Sequence, residues 1–310
     1  MTVPTLAPAT RPERRVADHA ARGLLLTICL CSAGTGTAQS LTQGGVEPGG
    51  LPAISIIIDD LGYRRRDGLR ALELPGPVAY AVLPHTPYAR SLASIAFQLD
   101  KEVLLHVPME SELDKALGPG ALVNGMARLE LQAVLDAGLA SVPHVSGINN
   151  HMGSALTQEM RAMGWLMEWM DKNGALYFVD SLTSARSVAL RSANAAGLRA
   201  IGRDVFLDAT ADTEMIRKQF QRLIELARTH GTGLAIGHPY PETLSVLRDV
   251  LLKPSYYGVE LVPVRELIVR RSLAFHAKST KPAPYNGKRP HYARNSLIGR
   301  KQLRSVAVPR

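Results

Sequence analysis

The sequence predicts an α/β fold, a distorted (β/α) barrel of seven or eight mostly parallel strands. Three observations predict it. Short apolar runs and helical patterns alternate through the middle of the 310-residue chain, as a parallel sheet requires. Seven or eight such units over about 215 residues suit a closed barrel better than an open sheet. No Gly-rich phosphate loop follows the first apolar run, which leaves the open doubly wound sheet as the second choice.

The first strand is expected at 54–58, where "ISIII" leads directly into Asp59 and Asp60. Further strands are expected at 78–83, 103–107, 146–149, 176–179, 198–201 with 205–207, 234–236 and 259–262. Most are continuous rather than alternating apolar runs, so both faces should be covered. Helices are expected at 89–99, 128–142, 159–174, 212–231 and 241–252. Gly174 and Gly231 mark C-terminal stops, Asp212 an N-cap, and Pro241 suits a first turn. Met160, Met163, Met167 and Met170 recur at helical spacing and read as core packing.

The ends differ from this middle. Residues 1–38 read as a signal peptide or N-terminal anchor: four arginines, then "GLLLTICLCSA", then small residues around Ala38. Both cysteines, Cys29 and Cys31, fall inside that run, so a processed chain would have no thiol chemistry. Residues 39–52 read as a flexible Gly/Pro linker, 53–270 as the domain, and 271–310 as a basic, disordered tail. The net charge of +9 belongs to the ends: residues 270–310 carry eleven Lys/Arg and no acid, 1–38 carry +2, and 39–269 are left at −4. The tail is read as a solvated extension, with contact to anionic envelope polymers or lipid headgroups as its second reading. Nucleic acid is a poor partner for an exported chain.

In a parallel barrel, chemistry gathers at the C-terminal ends of the strands. Here those ends carry Asp59 and Asp60, then His106, then Asn149, Asn150 and His151, then Asp180, Asp208 and His238. Two adjacent carboxylates after a buried strand repel unless a cation or shared proton relieves them. A divalent metal does this and leaves one carboxylate as a base. Neutral imidazoles with one carboxylate are ordinary zinc ligands. Asp180 and Asp208 have helix capping as their plain reading, and His238 has a buried backbone-bonded role. Glu242 reads as a first-turn carboxylate, His85 as rim decoration, and His144 as a loop residue. No G-x-S-x-G elbow surrounds Ser154 or Ser181, which argues against a serine hydrolase.

The series "IIIDDLGY", "LLHVPME", "GINNHMGS", "FVDS", "FLD" and "IGHPYPET", in this order, resembles the divergent polysaccharide deacetylase family of bacterial envelopes. The likeness covers residues 53 to 270 and implies a NodB-like barrel, usually counted as seven strands. It implies Asp59 as base, Asp60 as a ligand of a divalent metal, expected to be zinc, and His238 as general acid. The better-known relatives carry H-x-x-x-H after a middle strand. Here that segment runs from His106 to Glu110, so His151 is the candidate third ligand, with Glu110 the substitute if His151 contacts substrate. Asp180 is expected to orient His238 or bind a sugar hydroxyl. Asn149, Asn150, Glu110 and Asp208 are expected to meet substrate. The implied activity is removal of N-acetyl groups from an envelope polysaccharide in the periplasm, such as peptidoglycan. The altered ligand pattern admits a second reading, a non-catalytic envelope glycan-binding or cell-division factor. A two-carboxylate glycosidase using Asp59 and Asp180 is a third.

Overall fold

The structure, a computed structural model, describes residues 50–113 and 115–279, the side chains of 275–279 excepted. The expected signal segment, most of the linker and the tail beyond Ser279 lie outside the described residues. The chain begins with β1 (Ala53–Leu61), α1 (Arg65–Leu72), β2 (Ala79–Val82), α2 (Ala89–Gln98) and β3 (Val103–Met109). It continues through α3 (Arg128–Ser141), β4 (Val145–Met152), α4 (Met160–Lys172), β5 (Tyr177–Asp180) and α5 (Ala189–Ala195). It ends with β6 (Ala200–Gly202), β7 (Val205–Phe206), α6 (Thr213–His230), β8 (Thr232–Gly237), α7 (Pro241–Leu251), β9 (Glu260–Leu261) and α8 (Val264–Ser279).

Nine strands form one sheet in the order β6-β5-β4-β3-β2-β1-β8-β7, with β9 beside β1. All strand pairs are parallel. The two ends of this order are consecutive in the chain. Arg203 N–H donates to Asp180 O at 3.0 Å and Asp204 N–H to Leu234 O at 2.9 Å. One bent segment therefore leaves β5 and joins β8, and the sheet curls round on itself. That bend is also why nine strands replace the seven or eight expected.

The continuous apolar runs follow from burial on both faces. Ile57, Ala79, Ala81, Leu104, Val179 and Ile236 fill the interior. Ile54, Ile56 and Ile58 face outward, into a cluster with Leu92, Met163 and Phe220 of the surrounding helices. Each fully buried side chain of this size is worth about 1.5–3 kcal/mol. Met163, Met167 and Met170 are core as expected, but Met160, at the start of α4, is exposed. Asp212 caps α6 by accepting from Met215 N–H, and Gly231 ends it at φ 87°.

Helix α8 closes the N-terminal end of the barrel. Val264, Leu267 and Ile268 join the interior cluster. The Glu102 carboxylate accepts from the N–H groups of Val264 and Arg265, at the positive end of the helix dipole. The helix runs past the boundary expected at Arg270, because Arg271 pairs with Asp204 and donates to Thr232 Oγ1 at 2.9 Å. Two short helices, α1 and α5, carry no apolar periodicity long enough to be read from sequence.

Candidate metal centre and active rim

β1 ends in a bulge. Its register on β2 runs Ile58 to Tyr80 and then Leu61 to Val82, so β1 has one residue more than its neighbour. In a regular strand Asp59 and Asp60 would point to opposite faces. The extra residue is absorbed by Asp60, which sits at φ 62° in the left-handed region. Aspartate is one of the side chains that tolerates this, at a cost of about 1–3 kcal/mol. The result is two carboxylates on one rim, Asp59 buried and Asp60 above it.

The β3–β4 register supplies the partners. His106 lies opposite Asn149, and Pro108 opposite His151. Asn149 and His151 are two residues apart and share a face. The Asn149 amide bridges the site: Nδ2–H donates to Asp59 Oδ1 at 2.8 Å, and Oδ1 accepts from His106 Nδ1–H at 2.8 Å. A carboxylate accepts only, so this is the assignment that satisfies all three groups. It fixes the His106 tautomer and directs Nε2 toward Asp60.

There the chemistry converges. Asp60 Oδ1 lies 2.8 Å from His151 Nδ1 and 3.1 Å from His106 Nε2. The two nitrogens are 3.2 Å apart. Asp60 Oδ1 is buried and has no hydrogen-bond partner, because neither nitrogen meets it with hydrogen-bond geometry. One carboxylate oxygen and two imidazole nitrogens, all within 4.8 Å of one another, form a set suited to a divalent ion with a position left open. Glu110 does not belong to it. Its Oε2 accepts from Asn124 N–H and so ties down the loop after β3. The group that could hold an ion is therefore Asp60, His106 and His151 rather than one that includes Glu110.

The two carboxylates part in acidity. Burial raises Asp59 above its ordinary value, against the fields of His106 and His238. Burial would raise Asp60 as well, but His106 and His151 beside its Oδ1 hold it well below the usual carboxylate range. Burial opposes charge on His106, yet Asp59 and Asp60 raise it above its ordinary value.

His238 follows β8 and faces the same rim. Its Nδ1 donates to Asp208 Oδ1 at 2.9 Å, and its backbone N–H to Asp208 Oδ2 at 2.6 Å. Thr243 Oγ1 also donates to Asp208 Oδ2, at 2.7 Å. The His238 Nε2 is left 3.7 Å from Asp60 Oδ2. Burial opposes its charge, but Asp208, Asp59 and Asp60 together push it up to about 9.

Several expected roles change. Asp208, expected at the substrate, orients His238. Asp180, expected to orient His238 or bind a sugar hydroxyl, is occupied in its own loop: Oδ1 accepts from Leu182 N–H, and Oδ2 from Ser187 Oγ and Leu190 N–H. That also removes it as one of a glycosidase pair. Asn150 bridges backbone, donating to Met152 O and accepting from Ser181 N–H, and so braces β4 against β5 while it also lines the cleft beside His151. Asn149 is fully buried and reaches substrate only through the groups it holds. His85 and His144 stay outside the site, the latter stacked on Phe97 at 4.0 Å.

Two clefts flank the centre. One, about 430 Å³, is lined by His151, Lys115, Ser181, Arg203, Phe206 and His238. The other, about 240 Å³, is lined by Asp60, Tyr63, Arg64, Tyr240 and His238. A larger cavity of about 630 Å³ beside Trp165 holds none of the groups above. Arg203, Phe206 and Tyr240 were not readable as site residues. Arg203 lies in the bend between β6 and β7, donates to the carbonyls of Ser181 and Leu182, and stands 5.0 Å over the Phe206 ring. Its only sequence signal is a cation between two apolar runs.

The parallel barrel thus gathers Asp60, His106 and His151 on its C-terminal rim, beside a second carboxylate and an Asp-held histidine. Residues 56–268 match the divergent polysaccharide deacetylase family, and the chain belongs to that family. It is 38% identical over 198 residues to the uncharacterized protein YibQ of Escherichia coli K12, spanning 64% of this chain and 62% of that one. It is 34% identical over 195 residues to an uncharacterized protein of Haemophilus influenzae, spanning 63% of this chain and 69% of that one. The match thus spans less than two thirds of the E. coli relative's length. An uncharacterized protein from Agrobacterium tumefaciens C58 shares the fold, with a TM-score of 0.68 at 22% identity, over 71% of this chain and 90% of that one.

Proposed function

We propose that this chain is a metal-dependent hydrolase that removes N-acetyl groups from an envelope polysaccharide, with zinc as its ion. The observation that carries the proposal is the orphaned Asp60 Oδ1 between His106 Nε2 and His151 Nδ1. Asp60, His106 and His151 would hold the ion. When bound, it would supply Lewis acidity, acidifying a water and polarising the amide carbonyl. Asp59, steadied by Asn149, takes a proton from the attacking water. His238, charged and held by Asp208, donates a proton to the departing sugar amine. The departure from H-x-x-x-H motivated the non-catalytic reading; the meeting of His106 and His151 from adjacent strands supports the catalytic one. Action in the periplasm is part of the proposal and rests on residues 1–38.

The test uses purified protein stripped with chelator and reloaded with zinc. Acetate release from N-acetylglucosamine oligomers should depend on the ion. Asp60→Ala and His151→Ala should lose metal and turnover together. Asp59→Asn should keep metal and lose turnover by about 10²–10⁴-fold. Glycan binding with no turnover under any divalent metal would instead establish the non-catalytic factor.

A further inference from the structure

Two exposed tyrosines open onto the rim beside the candidate metal centre. Tyr63 and Tyr240 line the smaller cleft together with Asp60 and His238. Tyr63 is 49% exposed and Tyr240 42%. Both rings stand on fixed backbone. Tyr240 lies between Pro239 and Pro241, and the second proline confines it to an extended conformation, φ −71° and ψ 144°. Its carbonyl accepts from Leu244 N–H at 2.9 Å, and its ring centre stands 5.4 Å from that of His238. Tyr63 follows Gly62, whose carbonyl accepts from Tyr88 N–H at 2.9 Å and which packs on Thr86 where a Cβ would not fit. Apolar faces held in place beforehand lose little freedom on binding. The polar groups of this cleft are of both signs: Asp60 and Asp67 stand with Arg64 and His238. Arg64 and Asp67 are 3.7 Å apart, beyond hydrogen-bond reach, so one can donate to a ligand and the other accept. Aromatic faces beside a donor and an acceptor match a neutral sugar ring, with C–H faces and hydroxyl edges. At about 240 Å³ the cleft is smaller than the roughly 300–1,000 Å³ that encloses a drug-sized ligand, so it suits one ring of a longer chain.

We propose that Tyr63 and Tyr240 stack on the sugar next to the reacting one, so that the site selects a glycan chain over a monosaccharide. The inference deepens the deacetylase reading and rests on it for the identity of the reacting sugar. Asp59, His106, His151 and His238 all line the larger cleft, so the reacting sugar lies there. His238 lines both clefts, and the chain passes from one to the other beside it.

The test compares N-acetylglucosamine with its tetramer on the full-length protein. Binding is measured by calorimetry on metal-free protein, where no turnover intervenes, and acetate release is measured in parallel on zinc-loaded protein. The tetramer should bind about 10-fold or more tightly than the monomer. Tyr63→Ala/Tyr240→Ala should bring that ratio near one. Tyr63→Phe/Tyr240→Phe should keep it, because the ring face and not the hydroxyl makes the contact. Tyr256→Ala, which removes an exposed ring from the segment before β9, should also leave it in place. Equal binding of monomer and tetramer, no binding of either, or a ratio lost as fully in the Phe pair or in Tyr256→Ala as in the Ala pair overturns the inference. A ring-dependent preference for the tetramer without acetate release under any divalent metal upholds the sugar site while removing the deacetylase reading. Acetate release with a tetramer preference that Tyr63→Ala/Tyr240→Ala leaves unchanged does the reverse.

Discussion

Asp60 occupies a left-handed backbone conformation at the end of a buried strand, with a buried oxygen that finds no proton. The first is held by the bulge in β1, and the second is relieved if the oxygen serves a cation. Asn149 is the other decisive residue, because one amide sets the tautomer of His106 and steadies Asp59. Asn149→Ala should lower zinc affinity about 10–100-fold, read by competition with a chelating dye, with the fold intact by circular dichroism. His238 gives a pH test in the metal-free chain. Its imidazolium persists to about 9, against an ordinary value of 6.5. The stabilisation from its pairing with Asp208 is therefore full below pH about 6.5 and lost as the pH rises through about 9. NMR titration of His238 should show this midpoint, and Asp208→Asn should bring it down toward the ordinary value.

At the scale of elements, the site depends on how β4 lies between β3 and β5. Gly147 has Tyr177 for a neighbour, and an added Cβ would come within 2.4 Å of its ring. Gly147→Ala should cost about 1–3 kcal/mol in denaturant unfolding and displace Asn149 and His151 with the strand. Helix α8 offers a second test. Truncation after Arg270 removes Arg271 from Asp204 and Thr232 and should cost about 1–3 kcal/mol, whereas truncation after Ser279 should leave the unfolding midpoint in place. The same scale explains what could be read in advance. Most of the strands were legible because buried parallel strands are continuous apolar runs that end in polar groups, whereas the bend that separates β6 from β7 was not. His106, His151 and Asp60 were legible as strand-end residues. The bulge after Ile58 was not, because it is a property of pairing with β2. The exchange of roles between Asp180 and Asp208 was equally hidden. Both follow apolar strands, and only the β7–β8 register places one beside His238.

For the whole molecule, the barrel brings six separate strand ends to one rim and leaves α8 to close the other end. The group that could hold an ion comes from β1, β3 and β4, so an ion there would tie together elements far apart in sequence. Zinc should therefore raise the unfolding temperature, by the equivalent of about 2.7 kcal/mol when its free concentration is 100 times its Kd. Imidazole ligands must be neutral to bind, so that gain should shrink as the pH falls.

The most direct measurement is an anomalous difference map at the zinc edge from crystals of the zinc-loaded chain. One peak about 2.0–2.2 Å from an Asp60 carboxylate oxygen, His106 Nε2 and His151 Nδ1 is the predicted result. No peak on that rim, or a peak held by other residues and retained in Asp60→Ala, would contradict it.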